Sequence, residues 1–278
     1  MTTATIQGRT ARTPAVAPAA RQPGLAETMR SEFIKIRSVR STYWTLLALV
    51  LASIAWAAFD CAGIVSNWPR DMGFNPADAS LTGQVGLGEL IIVTLGALVI
   101  TSEYSTGMIR TSLTVMPRRG VLYAAKAIVF AAVSLAVSLI TSFAAFFTGQ
   151  IILSGKHINT TLAQPFALRA VLLSAAVVTV FGLLAYGAGA IIRNTAGAIT
   201  AILGMIFLIP LLAQALPNAW FQDLQRWLPG GSALNPISAG RAHGTDHLFS
   251  AWGEFAVFGG YAAVLLAVGA WLFCRRDA

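Results

Sequence analysis

Residues 170–192 contain no charged side chain and read AVLLSAAVVTVFGLLAYGAGAII. An α-helix needs about 20 predominantly apolar residues to cross the hydrocarbon core of a bilayer, and this segment is long enough. Five further segments are apolar over similar lengths, namely 41–59, 79–102, 127–155, 195–222 and 255–274, and Glu89 is the only charged residue inside them. The pattern predicts an all-α integral membrane protein with six transmembrane helices.

The composition of the whole chain supports this class. Of 278 residues, 56% are hydrophobic and only 11% are charged, and the mean hydropathy is +0.70. A soluble domain typically has about 25% charged residues, which it needs to cover its surface. The composition therefore excludes a soluble enzyme, a secreted disulfide scaffold and a disordered chain. The two cysteines, Cys61 and Cys274, fall on opposite sides of the predicted membrane, so we expect no disulfide between them.

Lys and Arg outnumber Asp and Glu by 19 to 11, and their distribution predicts the orientation. Six spans place both termini on one side, and loops on the cytoplasmic side are enriched in Lys and Arg. Without Arg9, Arg12 and Arg21, which are too far from the first span to count, the side of the termini carries eleven such residues: Arg30, Lys35, Arg37, Arg40, Arg110, Arg118, Arg119, Lys126, Arg193, Arg275 and Arg276. The other side carries five: Arg70, Lys156, Arg169, Arg226 and Arg241. Both termini are predicted to be cytoplasmic, and no motif indicates a nucleic-acid partner.

One membrane domain, preceded by a tail, is predicted. Residues 1–26 are rich in Ala, Thr, Pro and Arg and have no apolar run, which is typical of a disordered cytoplasmic tail, and residues 27–278 form the membrane domain. Residues 27–40 begin that domain with helical periodicity, because Met29, Phe33 and Ile36 recur on one side. The basic residues Arg30, Lys35 and Arg37 mostly occupy the remaining arc. Such an amphipathic helix is predicted to lie in the membrane interface and to contact lipid; a plain polar lead-in to the first span is the alternative.

The loop between the second and third predicted spans is organised as more than a connection. Residues 103–126 read EYSTGMIRTSLTVMPRRGVLYAAK. Gly107 suits a tight turn, residues 108–116 form a short helical stretch with apolar positions, and Pro117 is expected to end it. Arg118, Arg119 and Lys126 then precede the third span. We predict a short helix on the cytoplasmic surface, shaped for docking; a positively charged linker is the alternative.

These motifs resemble the permease subunits of the type-2 family of ABC transporters. The similarity rests on Glu103, Thr106, Gly107, Ile109, Leu113, Pro117, Arg119 and Lys126 in the loop, on the run 30–38 (RSEFIKIRS), and on 228–236 (LPGGSALNP) between the last two spans. The resemblance implies a coupling helix that docks on a separate ATP-binding subunit. The cationic residues Arg110 and Arg118 of the same loop are predicted as further contacts. It also implies an exporter with two permease chains, identical or related, in a bacterial cell membrane. In such an assembly ATP binds the partner and this chain holds no cofactor.

Three other functions are weaker. The chain lacks a phosphate-binding loop, since residues 154–157 (SGKH) have neither the upstream Gly nor the following hydroxyl, so we expect no ATPase site. An ion-coupled secondary transporter is the main alternative, but Glu89 is the only charged residue inside a predicted span. Glu89 lies either on the substrate path or in the outer leaflet, where it could pair with Arg70. His243 and His247 lie four residues apart with Asp246 beside them, but Gly244 stands where the zincin motif has Glu, and no further ligand is evident. An intramembrane zinc enzyme is therefore not favoured.

Other candidates for the wall of the path have an ordinary alternative role. They are three aromatic residues and three glycines: Phe143, Phe146, Phe147, Gly182, Gly187 and Gly189. Small residues let transmembrane helices approach closely, and aromatic side chains readily contact lipid. Packing and lipid contact are therefore the favoured interpretation of these positions.

Overall fold

The computed structural model describes residues 24–68, 75–116, 118–215 and 250–276, together with Trp220 and Trp227. Within these residues the chain forms α-helices and no strands. The helices are α1 (Leu25–Ser38), α2 (Arg40–Asn67), α3 (Pro76–Ser105), α4 (Met108–Val115), α5 (Arg119–Ser154), α6 (Pro165–Ile192), α7 (Thr195–Leu208), α8 (Ile209–Ala215) and α9 (Ala251–Arg275). The all-α class predicted from the sequence is confirmed.

Five of these helices are long and apolar enough to cross a membrane: α2, α3, α5, α9 and, from Phe166 to Ile192, α6. The predicted fifth span, 195–222, is not among them. Its described part consists of α7 followed directly by α8, and α7 alone is too short to be counted as a candidate span. The remainder of that segment lies outside the described residues, except for Trp220. The described residues therefore contain five candidate spans where the sequence predicted six.

The helices extend beyond the predicted segments and include charged and polar residues that are hydrogen-bonded. The helix α2 continues past Asp60, whose carboxylate accepts a hydrogen bond from the Thr82 hydroxyl at 3.0 Å. The helix α3 begins at Pro76, after an Asn75 side chain that accepts from the N–H of Ala77. The helix α1 begins at Leu25, two residues before the predicted start. In its first turn the Glu27 carboxylate accepts a hydrogen bond from the N–H of Gly24 at 2.8 Å. Charge-free windows thus underestimate helix length.

The helix α6 lies at the centre of the bundle and packs against α3, α5 and α9. Its contact with α3 is backbone to backbone, since a Cβ on Gly96 would overlap the carbonyl group of Gly182. A Cβ on Gly189 would likewise stand 2.6 Å from the side chain of Ile100. The structure therefore shows close helix packing at Gly182 and Gly189, as small residues at helix crossings permit.

Polar side chains connect the spans at the end of the bundle opposite α1. The Gln150 amide donates to the carbonyl of Pro76 at 2.9 Å and to the Ser80 hydroxyl at 2.8 Å, and its oxygen accepts from the N–H of Thr160. Cys61 lies beside Ser80, is buried and carries a free thiol, as does the exposed Cys274. Interhelical hydrogen bonds of this kind stabilise packing where the bilayer supplies no hydrophobic driving force.

Candidate functional site

The second and third candidate spans are joined by α4 at the end of the bundle that also carries α1 and Arg276. We call this end the loop face. A left-handed turn at Gly107, with φ of +70°, reverses the chain between α3 and α4. Non-glycine residues seldom adopt this conformation, so the sequence prediction of a tight turn here agrees with the backbone. The helix α4 follows at once from Met108 to Val115.

One side of α4 is anchored in the protein and another is open. Ile109 is buried together with Met116, Tyr123 and Phe273 in an apolar cluster. Met108, in contrast, is 47% exposed. Thr106, just before the helix, is exposed and donates its hydroxyl hydrogen to the carbonyl of Ser102. The loop face therefore presents a short, fixed helix with one side accessible.

The remaining predicted docking residues are distributed around this helix. Arg118 is exposed, and Arg119 donates to the backbone carbonyl of Arg276 at 2.7 Å, which ties the start of α5 to the end of α9. Arg110 and Leu113 belong to α4, but their side chains lie outside the described part of the chain, as does Pro117. The helix ends at Val115, before the proline.

Four charged side chains meet beneath α4, and we call them the charge cluster: Glu32, Lys35, Glu103 and Lys126. The Lys126 ammonium lies 2.6 Å from Glu32 Oε2 and 2.7 Å from Glu103 Oε1. Lys35 lies 2.7 Å from Glu32 Oε1 and 3.3 Å from the same Glu103 oxygen. Two carboxylates and two ammonium groups therefore bridge one another, and the cluster is electrically neutral.

Burial makes these contacts strong. Glu32, Glu103 and Lys126 are each 5% exposed or less, so their attraction is little screened by water. Lys35 is more accessible, with 38% of its side chain exposed. A charged group in such surroundings is costly unless it is paired and hydrogen-bonded. Lys126 is doubly paired, which explains how it is accommodated inside the helix α5 instead of at the entrance that the sequence predicted.

The pKa values of the two members on α1 reflect this pairing. Burial alone would raise the pKa of Glu32, but Lys126 and Lys35 outweigh it, and the pKa lies below its ordinary value. Burial would lower the pKa of Lys35, but its hydrogen bond to Glu32 and the charge of Glu103 outweigh it, and the pKa lies above its ordinary value. Both groups are therefore held in their charged forms.

Sequence reasoning missed Glu32 and assigned a different environment to Lys35. The side of α1 that faces the protein is polar and carries Thr28, Glu32 and Lys35, at spacings of four and three residues. The predicted apolar residue Phe33 is 49% exposed, Ile36 is half-buried, and both Arg30 and Arg37 are exposed. The spacing of Glu32 from Lys35 was the available signal, but its pairing with Lys126 spans 94 residues of sequence.

Glu103 is ion-paired with two lysines, Lys35 and Lys126. Arg193 lies nearby, with its guanidinium 5.0 Å from the ring centre of Tyr104. Arg193 follows α6 in the left-handed region, with φ of +57°, and Arg276 donates to the carbonyl of Ile191 at 3.0 Å. The arginines of this end thus stabilise helix termini and aromatic rings.

Glu89, the predicted path residue, is 5% exposed in the middle of α3. It directly follows a π-helical turn from Gln84 to Gly88, a local irregularity that often occurs at functional sites. No hydrogen-bond donor to its carboxylate is found among the described residues, and Arg70 lies outside them. His243, Asp246, His247 and residues 228–236 also lie outside the described part, and no cluster of metal-binding side chains occurs within it.

Residues 28–216 match the family model described as ABC-2 family transporter protein. The match extends from the first turn of α1 to the residue after α8 and so covers the charge cluster, α4 and the whole loop between α3 and α5. No curated protein matches the chain significantly. The matched residues are more than half of the chain, and they include all of the loop residues on which the predicted resemblance rests. The chain therefore belongs to the ABC-2 family of transporter permeases, which are membrane transport components that normally work with an ATP-binding subunit.

Proposed function

We propose that the chain is the membrane-spanning subunit of an ATP-driven exporter and that α4 is its coupling helix. The placement of α4 carries this proposal. The helix is short, its Ile109 side chain is buried in the protein and its Met108 side chain is exposed. It lies between two candidate spans whose ends are ion-paired through Glu103 and Lys126. A force on α4 would therefore move the ends of α3 and α5 together.

The proposed assembly is supported by the distribution of Lys and Arg along the chain and by the family match. The loop face is cytoplasmic, the described α7 and α8 belong to a sixth span, and both termini lie in the cytoplasm of a bacterial cell. Two permease chains, identical or related, form the translocation path above two ATP-binding subunits. ATP binding would favour one arrangement of the spans over the other by acting on the partner subunits, and this bias is what coupling requires.

The helix α1 is proposed to lie in the membrane interface. Phe33 and Ile34 are both about half exposed, and they suit contact with lipid on the side away from the charge cluster. The exposed Arg30 and Arg37 suit contact with phospholipid headgroups. On this account α1 transmits no force by itself but keeps the charge cluster shielded from water.

Glu89 is proposed to lie on the substrate path, since a buried carboxyl group within a membrane span is usually functional. Glu89→Gln would then change transport while leaving the ATP-binding subunit attached. The ion-coupled secondary transporter remains the second candidate, favoured only by this buried carboxyl group. Transport by the purified chain in liposomes without ATP would establish it and contradict the exporter.

The docking role can be tested on the exposed side of α4. Met108→Glu, in the full-length tagged chain, should abolish co-purification of an ATP-binding subunit that is recognised in mass spectra by its phosphate-binding loop. Leu25→Glu is the matched control, because Leu25 is also about 45% exposed at the same end of the bundle and belongs to α1. Equal retention of the subunit by both variants would contradict docking at α4.

A further inference from the structure

An open apolar groove of about 430 Å³ lies between α1 and α5, on the outside of the bundle. Met29 and Phe33 of α1 form one wall. The other wall is a stripe along α5 with helical spacing: Val129, Ala132, Val133 and Ala136. Ala132 and Ala136 are exposed, and their small side chains leave the space that the groove occupies.

The groove leads from the position of α1 toward the middle of the span α5. The helix α5 begins at Arg119 on the loop face, and the stripe from Val129 to Ala136 continues away from that face for about 10 Å. The inference rests on the proposed position of α1 in the membrane interface, which places the start of the groove at the level of the lipid headgroups. An acyl chain that enters there meets apolar side chains along the stripe.

Arg30 is the single charged side chain among the residues that line the groove. It is exposed, and no ion pair to it occurs within the described part of the chain. Both acidic residues of α1 have other contacts, since Glu27 accepts from the N–H of Gly24 and Glu32 belongs to the charge cluster on the opposite side of the helix. A guanidinium can bind a phosphate group through two parallel hydrogen bonds. The groove therefore combines a phosphate contact with an apolar channel.

We propose that this groove binds an anionic phospholipid, with its phosphate paired with Arg30 and one acyl chain along Val129 to Ala136. No carboxylate is among the described residues that line the groove, so the ammonium of a zwitterionic lipid would find no ion-pair partner there. An anionic headgroup, in contrast, neutralises the one charge of the groove. The bound lipid holds α1 against α5 on the side away from the charge cluster.

Binding of three lipids to the purified full-length chain tests the headgroup. We would titrate phosphatidylglycerol, phosphatidylethanolamine and phosphatidylcholine with identical acyl chains and measure dissociation constants by native mass spectrometry. One basic side chain near the membrane surface contributes about fivefold to the affinity for an anionic lipid, so phosphatidylglycerol should bind about fivefold more tightly than each of the others. Equal affinities for the three lipids would overturn the proposal.

Arg30→Gln tests the phosphate contact and should abolish the preference for phosphatidylglycerol. Arg37→Gln is the matched control, because Arg37 is exposed on the same helix, two turns further along, and does not line the groove. Both positions lie on the surface, so both variants are expected to fold. Equal loss of the preference in the two variants would assign it to the overall charge of α1 and refute the groove. A preference that Arg30→Gln retains in full would place the lipid elsewhere and refute it as well.

Ala136→Phe tests the acyl chain, because the added ring fills the far end of the groove. The affinity for phosphatidylglycerol should fall about fourfold for each methylene group that the ring displaces. Leu135→Phe is the matched control, since Leu135 is exposed on α5 beside the stripe but does not line the groove, and it should bind as the unaltered chain does. Equal affinities of the two variants would show that no acyl chain follows this stripe. These measurements use neither ATP nor a partner subunit, so failure of the groove and failure of the exporter proposal are distinguishable.

Discussion

Replacing Lys126 by methionine should destabilise the protein far more than the same replacement of Lys35. Lys126 is 5% exposed in its side chain and lies 2.6 Å and 2.7 Å from two buried carboxylates. Its removal leaves Glu32 and Glu103 with a single, partly solvated ammonium between them. Removing one partner from a buried ion pair typically costs about 3–5 kcal/mol, because the remaining charge is left uncompensated.

Lys35→Met is the matched control for this prediction. It removes an ammonium from the same two carboxylates, but 38% of the Lys35 side chain is exposed. Pairs that water can reach contribute about 0–1 kcal/mol, so this substitution should be nearly neutral. The free energy of unfolding of both variants, measured by reversible denaturation of the full chain in mixed micelles, gives the comparison directly.

A second substitution tests whether the two carboxylates are coupled through Lys126. Adding Glu32→Gln to Lys126→Met removes one of the two stranded carboxylates and should restore part of the lost stability, so the two effects should not be additive. Two results would contradict the reasoning that burial makes the ion pairs of the charge cluster strong. One is an equal loss of unfolding free energy in Lys126→Met and Lys35→Met. The other is a loss in the double variant that equals the sum of the losses in the single variants.

Three further predictions concern the charge cluster, the helix crossing and the loop turn. Because the pKa of Glu32 is lowered, the ionised carboxylate stabilises the fold at pH values above the ordinary pKa of 4.5, and this contribution is lost as the pH falls through the lowered pKa. Glu32→Gln should therefore flatten the acid limb of a curve of unfolding free energy against pH. An unchanged acid limb would contradict this prediction. Gly96→Ala should lower the free energy of unfolding by about 1–3 kcal/mol, because the added Cβ forces α3 away from Gly182. Gly86→Ala, which has open space at its Cβ, should lower the free energy of unfolding by less. Gly107→Val should lower the free energy of unfolding by about 1–2 kcal/mol, because the backbone at this position is left-handed. Gly107→Asn should lower the free energy of unfolding by less. Equal losses in the two variants would exclude backbone strain at this turn.

The sequence predicted the fold where hydrophobic length alone determines it. Five of the six predicted segments, 41–59, 79–102, 127–155, 170–192 and 255–274, lie within α2, α3, α5, α6 and α9, apart from one residue at the end of the third. The family resemblance, built on the loop around Gly107, is confirmed by the match over residues 28–216. Length and local turn chemistry are properties of contiguous residues, and a single sequence displays both.

The charge cluster could not be predicted in the same way. Glu32 meets Lys126 across 94 residues and Glu103 meets it across 23, and nothing local to any of the three indicates its partner. The backbone contact between α3 and α6 at Gly96 was likewise invisible, although small residues were correctly associated with close packing at Gly182. Long-range pairing depends on how the helices assemble, and charge or size at one position does not specify it.

The charge cluster also explains why α1 needs a polar side toward the protein. A helix with exposed Phe33 and Ile34 would be stable in the interface over a range of rotations about its axis, because burial of apolar area has no direction. Ion pairs from Glu32 to a helix on the far side of the loop fix one rotation. Since only Val39 separates α1 from α2, fixing α1 also fixes the start of α2. The charge cluster therefore sets the relative positions of α1, α2, α3 and α5 at the end where α4 is proposed to dock, and α4 moves against a frame that directional contacts define.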